Sequence, residues 1–346
     1  MLLKFKHFLN ENEIYLMEEI ASNDSKGKLH ELLVAKHLHA DKQLPTRYTN
    51  KVTQKTPQET HDEIKNSISS EDYTAADKRA KEAAEKVGEH LKSQGIHPHH
   101  IKEVVWTSNK ADHKSLTGTA DANSDADIMV KHDAPNTGSS YHGISLKVGS
   151  GKPNLRNPGL ATLDKLTGAK SSVTKGLLSA HKKKLNELGY SSSNSQAVNH
   201  AQYKKDKAGE NKEKADAADS SKLDTLGHLA KHYAEGINNL HPDHVKHLLT
   251  TLIAPATKHP HIRVHTQTPK TGEDKPTVQH LEQHQEDLQR ELNNHQHGYQ
   301  AHSSGQTLHI HANNPDGTKG KRIASISMKG VSGPIKGIAG ATSSSI

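Results

Sequence analysis

The stretch SDADIMVKHDAPNTGSSYHGISLKVG, residues 124–149, holds two apolar runs on either side of a linker rich in Pro, Asn, Gly and Ser. DIMV at 127–130 is short and apolar, and YHGISLKV at 141–148 alternates with a period of two, so the pair reads as a β-hairpin. Alternation puts Ile144, Leu146 and Val148 on one face of the second strand and Gly143, Ser145 and Lys147 on the other. On the first strand Ile128 and Val130 share a face, with Asp127 and Met129 opposite; an extended Asp125 points the same way as Asp127. Matching the apolar faces gathers Asp125, Asp127, Ser145 and Lys147 on the second side. Two carboxylates and an ammonium then converge beside a Gly-, Pro- and Asn-rich segment at 149–169.

Upstream, residues 10–40 read as two short helices separated by ASNDSKGK. In the second, Leu29, Leu32, Leu33, Val34, Ala35 and Leu38 wrap most of the helical circumference, which predicts burial. Glu31 falls inside that apolar arc, where a carboxylate is costly unless it meets a cation, a metal or hydrogen-bond donors; the plain alternative is that it reaches water at the rim. Residues 41–57 read as a loop, and 70–94 as a surface helix with a thin apolar stripe, stopped at Gly95. VVW at 104–106 is a third strand. Downstream, several helices run from about 170 to 254, and 191–222 is so poor in large apolar residues that it predicts a solvated helix or insert. HIRVHTQ (261–267), TLHIHA (307–312) and RIASISMK (322–329) read as strands, with an amphipathic helix over 276–294.

The chain has 346 residues, a formal charge of +7, 31% apolar residues, 29 His and no Cys. The length allows one large or two ordinary domains, and the low apolar fraction excludes a compact core running through all of it. No apolar run approaches the ~20 residues of a membrane span. MLLKFKHFLNENEIYLMEE lacks a small-residue cleavage site, so secretion by a signal peptide is not expected. Without Cys there are neither disulfides nor thiolate metal sites. The basic excess favours an anionic partner.

A helix with an embedded Glu (GKLHELLVAKHL), an Asp entering a strand (SDADIMV), a hairpin, and a strand ending in Lys (GISLK) together resemble the PD-(D/E)XK nuclease superfamily, over about residues 25–165. KVGSGKPNLRNPG is similar to a segment that follows an SLK strand in some phage and restriction-type members. The resemblance implies an α/β or α+β fold with a restriction-endonuclease-like central mixed sheet flanked by helices, with helical insertions. It implies a Mg²⁺-dependent deoxyribonuclease, expected to be an endonuclease, with Mn²⁺ able to substitute. Asp127 matches the strand-entry aspartate that binds the metal, Lys147 the lysine at the attacking water, and Glu31 the helix acid that completes the site. Ser145 stands where the family usually has a second acid, which leaves Asp127, water, the Leu146 carbonyl, and Asp125 or Glu31 to hold the ion. The rival expectation is a noncatalytic nucleic-acid-binding or virion-packaged protein that keeps the fold.

The physical case for this set does not need the family. Cleaving a phosphodiester requires an activated water and compensation of charge at phosphorus, and Mg²⁺ supplies both while preferring hard oxygen ligands. An Asp facing a Lys across a hairpin is also an ordinary cross-strand ion pair. Lys152, Arg156 and Asn157, in the segment after Lys147, are candidate DNA contacts, as is Lys329. Lys329 lies in ISMKGVSG (326–333), which echoes ISLKVGSG (144–151) without an acidic strand entry. The histidine groups HPHH (97–100), HPHIRVH (259–265), HQH (295–297) and HIH (309–311) read as solvated polar usage rather than a metal site.

The expected organisation is a leader at 1–24, a nuclease core at 25–169, a helical insertion at 170–258, and strands and a helix at 259–346 that complete the sheet or form an accessory lobe. KFKHFLNENEIYLMEE resembles the amphipathic leader of some proteins packaged in heads of large tailed phages, LMEE at 16–19 being compatible with prohead-protease processing. DNA is the expected partner, with a homodimer and a phage capsid interior as further ones, and no membrane. The expected location is the cytoplasm, a host's cytoplasm if phage-encoded, or the virion.

Overall fold

The computed structural model describes residues 11–39, 41–46, 55–107, 110–118, 121, 124–135, 137–149, 157–268, 275–330 and 338–344. The chain folds into two units, one built from 1–153 with 256–284 and the other from 154–255 with 285–346. The class is mixed α and β, as expected. The path of the chain departs from the four successive segments anticipated above. Residues 256–284 return to the first unit because HIRVHTQ pairs with the strand ending in Lys147.

The first unit contains α1 (Glu11–Leu38), α2 (Pro57–Ser67), α3 (Ser70–Ser93), β1 (Ile101–Trp106), α4 (Lys110–Thr117), β2 (Ile128–His132), β3 (Tyr141–Gly149), β4 (His261–Gln267) and β5 (Lys275–His280). Its five strands lie in sequence order in one mixed sheet. β1, β2 and β3 form an antiparallel meander, β4 runs parallel to β3, and β5 is antiparallel to β4. The anticipated pairing of apolar faces is present, since Ile128 is in register with Ile144, which is in register with Ile262. On that face Val104, Ile128, Val130, Ile144, Leu146, Ile262 and Val264 pack against Leu29, Leu33 and Val34 of α1 and the Ala80, Ala83, Ala84, Val87 and Leu91 stripe of α3. The opposite face carries a smaller apolar group, Val105, Leu116, Ala126 and Met129.

Three local expectations change. Residues 11–38 form one helix rather than two, because ASNDSKGK contains no Pro and a single interior Gly costs only about 1 kcal/mol. α3 exposes much of its length, but its thin stripe is a core face: Ala80, Ala83, Ala84, Val87 and Leu91 are buried, and the small alanines let it lie close on α1 and the sheet. The segment 276–294 is not a single helix. PTVQH at its start extends β4 as an edge strand, where Pro276 is tolerated, and the helix begins at Leu281.

The second unit holds α5 (Leu160–Thr167), α6 (Ser171–Glu187), α7 (Gln196–Lys205), α8 (Lys212–Asn238), α9 (Pro242–Ile253), most of α10 (Leu281–Asn294), and β6 (Tyr299–Ser304), β7 (Thr307–Asn313), β8 (Lys319–Gly330) and β9 (Ile338–Ser344). The four strands form an antiparallel sheet in sequence order. α8 packs on β6, β7 and β8 and buries Leu226, Leu229 and Ile237, while its Tyr233 hydroxyl donates to Asp164 of α5. The described side chains of 191–222 are mostly exposed, as expected of a solvated helical segment; Asn199, Asp206, Ala215 and Ala218 are its buried points, and Asp206 is held by the Tyr190 hydroxyl and the Lys214 ammonium.

Candidate active site

Asp127 precedes β2 but is already held in the sheet, its N–H donating to the Ile144 carbonyl and its carbonyl accepting from Thr107 N–H. Continuing the register of Ile128 with Ile144 sets Asp127 opposite Ser145, on the face away from the apolar core. Three donors converge on Asp127 Oδ2: the Leu146 N–H at 2.7 Å, Lys147 Nζ at 3.3 Å and Ser145 Oγ at 3.4 Å. The carboxylate is 22% exposed and Lys147 32%, so the pair is reachable from solvent. Burial raises the Asp127 carboxyl above its ordinary value, against the opposing pull of Lys147 and the Leu146 N–H.

Glu31 comes from α1, and its Oε2 accepts a 2.8 Å hydrogen bond from Trp106 Nε1 at the end of β1. It is half-buried, at the border of the apolar core. Burial first, and the Asp127 charge second, push its carboxyl up to about 8, while Trp106 and Lys147 pull the other way. Glu31, Asp127, Ser145 and Lys147 are thus brought into one small region. The N–H and C=O of a strand residue leave along the same edge, so the Leu146 carbonyl points to the β2 side, as its N–H does.

Asp125 has other partners. Its Oδ1 lies 3.2 Å from His261 Nε2 and its Oδ2 3.6 Å from Arg263 Nε. His261 and Arg263 are almost fully buried. Burial alone would raise the Asp125 carboxyl, but His261 and Arg263 together hold it well below the usual carboxylate range. The histidine of HPHIRVH at 261 is therefore a core group, not solvated polar usage, and His90 and His142 are buried together with their Nε2 atoms 3.2 Å apart.

Asn157 is exposed and belongs to the second unit, as does the exposed Lys329 on β8; Lys152 and Arg156 lie outside the described residues, as do residues 1–10 of the N-terminal leader. Trp106, His261 and Arg263 were not singled out from the sequence. The alternation in HIRVH does set His261 and Arg263 opposite Ile262 and Val264, but which strand lies beside them is set by a long-range parallel pairing. Among the described residues, no group of three or more His, Asp or Glu side chains is clustered to hold a metal ion. Comparison with family models, curated proteins and solved structures returns no match.

Proposed function

We propose that the first unit is a restriction-endonuclease-like, PD-(D/E)XK-type nuclease that hydrolyses DNA phosphodiester bonds, acting as an endonuclease, with Mg²⁺ or Mn²⁺. The observation that carries this reading is the shared sheet face of Asp127 and Lys147, 3.3 Å apart and open to solvent, with the half-buried Glu31 beside them. The donor set suits a hard divalent cation. Asp127 and Glu31 are two partly desolvated acids in mutual repulsion, a state that a bound cation relieves. Asp127 through its second oxygen, Glu31 and the Leu146 carbonyl would hold the ion, with waters and substrate phosphate filling the remaining positions, as Mg²⁺ prefers. When bound, the metal supplies Lewis acidity toward the phosphate and a more acidic water.

The chain's own groups act around that centre. Lys147 places an ammonium beside Asp127, where it orients the attacking water and compensates charge that develops at phosphorus. Ser145 and the Leu146 N–H fix the rotamer of Asp127. Glu31, protonated in the metal-free site, would hold a bound cation as its carboxylate. The +7 charge of the chain serves to draw in the phosphate backbone.

The test is incubation with linear, circular and single-stranded DNA in Mg²⁺, Mn²⁺ or EDTA, beside Asp127→Ala and Lys147→Ala. Metal-dependent cutting lost in both variants supports the enzyme. Ser145 in place of an acid favours one rival, a noncatalytic DNA-binding or virion-packaged protein. DNA binding without cutting in any metal decides for it.

A further inference from the structure

Arg263 lies in register with Ser145 on the neighbouring parallel strand, on the same sheet face, and it pairs with Asp125. The nuclease reading thus has a buried cation next to the one position where its family usually carries an acid. His261 completes the arrangement. It is in register with Gly143, where an added Cβ would stand 2.9 Å from its Nδ1, so the strand is bare of side chain at the point where the imidazole packs. From there its Nε2 reaches Asp125. Asp125, two residues before Asp127, is held by two groups of β4.

Resting on the nuclease reading, we propose that Arg263 is a positioning residue that controls the metal site in two ways: it engages Asp125 so that Asp127 and Glu31 serve as the acidic ligands, and it stands as the fixed positive charge beside Ser145. Arg263 on β4 and Asp127 just before β2 are two strand spacings of about 4.8 Å apart, so the guanidinium faces the Asp127 side of the site across Ser145 of β3. A buried charge across one strand from the acids opposes cation binding, and the observed Ser145 is the residue type this neighbour allows without redirecting the site. A carboxylate at 145 would find Arg263 before it found a metal.

The consequence has a sign that a merely structural role lacks, because removing Arg263 tightens divalent-ion binding rather than weakening it. The experiment is calorimetric titration of the full chain with Mn²⁺ alone, for wild type, Arg263→Gln, Arg263→Lys, Ser145→Asp and the double variant Asp125→Asn/Arg263→Gln. Circular dichroism checks the fold of each. Arg263→Gln is expected to bind Mn²⁺ on the order of tenfold more tightly. Arg263→Lys, which keeps the charge, is expected to stay near wild type, and the double variant to keep only the part of the gain that comes from removing the positive charge. Ser145→Asp alone is expected to change affinity by less than about twofold, since the new acid pairs with Arg263.

A folded Arg263→Gln protein with unchanged or weaker affinity overturns the proposal. So does a tenfold gain in Ser145→Asp with Arg263 in place, which decides the matter if Arg263→Gln does not fold. Absence of Mn²⁺ binding in wild type and every variant defeats the nuclease reading itself, a failure distinct from measurable wild-type binding that Arg263 does not affect.

Discussion

Glu31 keeps its proton at neutral pH because burial and Asp127 both act against its ionised form. Its carboxyl titrates at about 8 in the fold, against an ordinary 4.5. Below the ordinary value both the folded and unfolded chains hold the proton; between the two values only the folded chain does, so the unfolded state gains from ionisation as pH rises. Stability of the metal-free protein therefore falls from about pH 4.5 to about pH 8 and levels off above. Urea unfolding in EDTA at about pH 5 and about pH 8.5 is expected to show this loss, a few kcal/mol at most. Glu31→Gln, which cannot ionise, is expected to flatten it; an equal slope in the variant would contradict the assignment. At this scale Glu31 was legible from its place inside an apolar arc, and Asp127, Ser145 and Lys147 from strand alternation. Asp125 was not, because its partners His261 and Arg263 come from a strand far along the chain, and no local pattern announces a parallel pairing.

The elements divide by how much local sequence has to say about them. Strands with β-branched or alternating apolar residues, such as those at 141–149 and 261–267, were legible to within a residue or two. β6 and β9, rich in Ser, Ala and Gly, carry no such pattern and become strands only because β7 and β8 offer edges to pair with. α3 shows the opposite difficulty, since alanine contributes little to an apolar stripe yet sets how closely two helices approach. Ala83 is fully buried in the core shared with α1 and the sheet. Ala83→Leu is expected to destabilise the protein by about 1–3 kcal/mol through overpacking. Ala substitution at the exposed Glu85, two positions on, is expected to stay within about 0.5 kcal/mol. Chemical denaturation of the two variants side by side makes the comparison.

For the whole molecule, the informative fact is that each unit is assembled from two separated stretches of chain. The low apolar fraction suggests insertions; the structure has two units, and within the expected, partly solvated helical segment 170–258 it is α8 that packs on β6, β7 and β8 of the second sheet. Composition could not reveal this, because α8 spreads its large apolar residues over the second half of a long helix whose first half buries only alanines. Among the described residues no helix is long and apolar enough to cross a membrane. A protein shortened to residues 1–284 keeps all five strands of the first sheet and loses all four of the second. Limited proteolysis is expected to cut it within 154–255, where Leu226, Leu229 and Ile237 have lost their cover. The only tryptophan, Trp106, is expected to keep the fluorescence of a buried indole. A fully red-shifted Trp106 would mean that the first unit cannot stand without the second.

The pairing of β3 with β4 also orders events on the ribosome. The meander that carries Asp127 and Lys147 emerges early, but its parallel neighbour is translated only after α5 to α9 have been made. Those helices in turn wait for the strands at 299–344. The nascent chain thus carries two half-built cores at once, each with apolar surface exposed, until β4 and β5 complete the first and the strands at 299–344 the second. Contacts of such long sequence separation close slowly. Asp125 meets Arg263 only in the second half of translation, so the proposed site takes its final charge pattern late, after most of the basic surface that would draw DNA toward it has been synthesised.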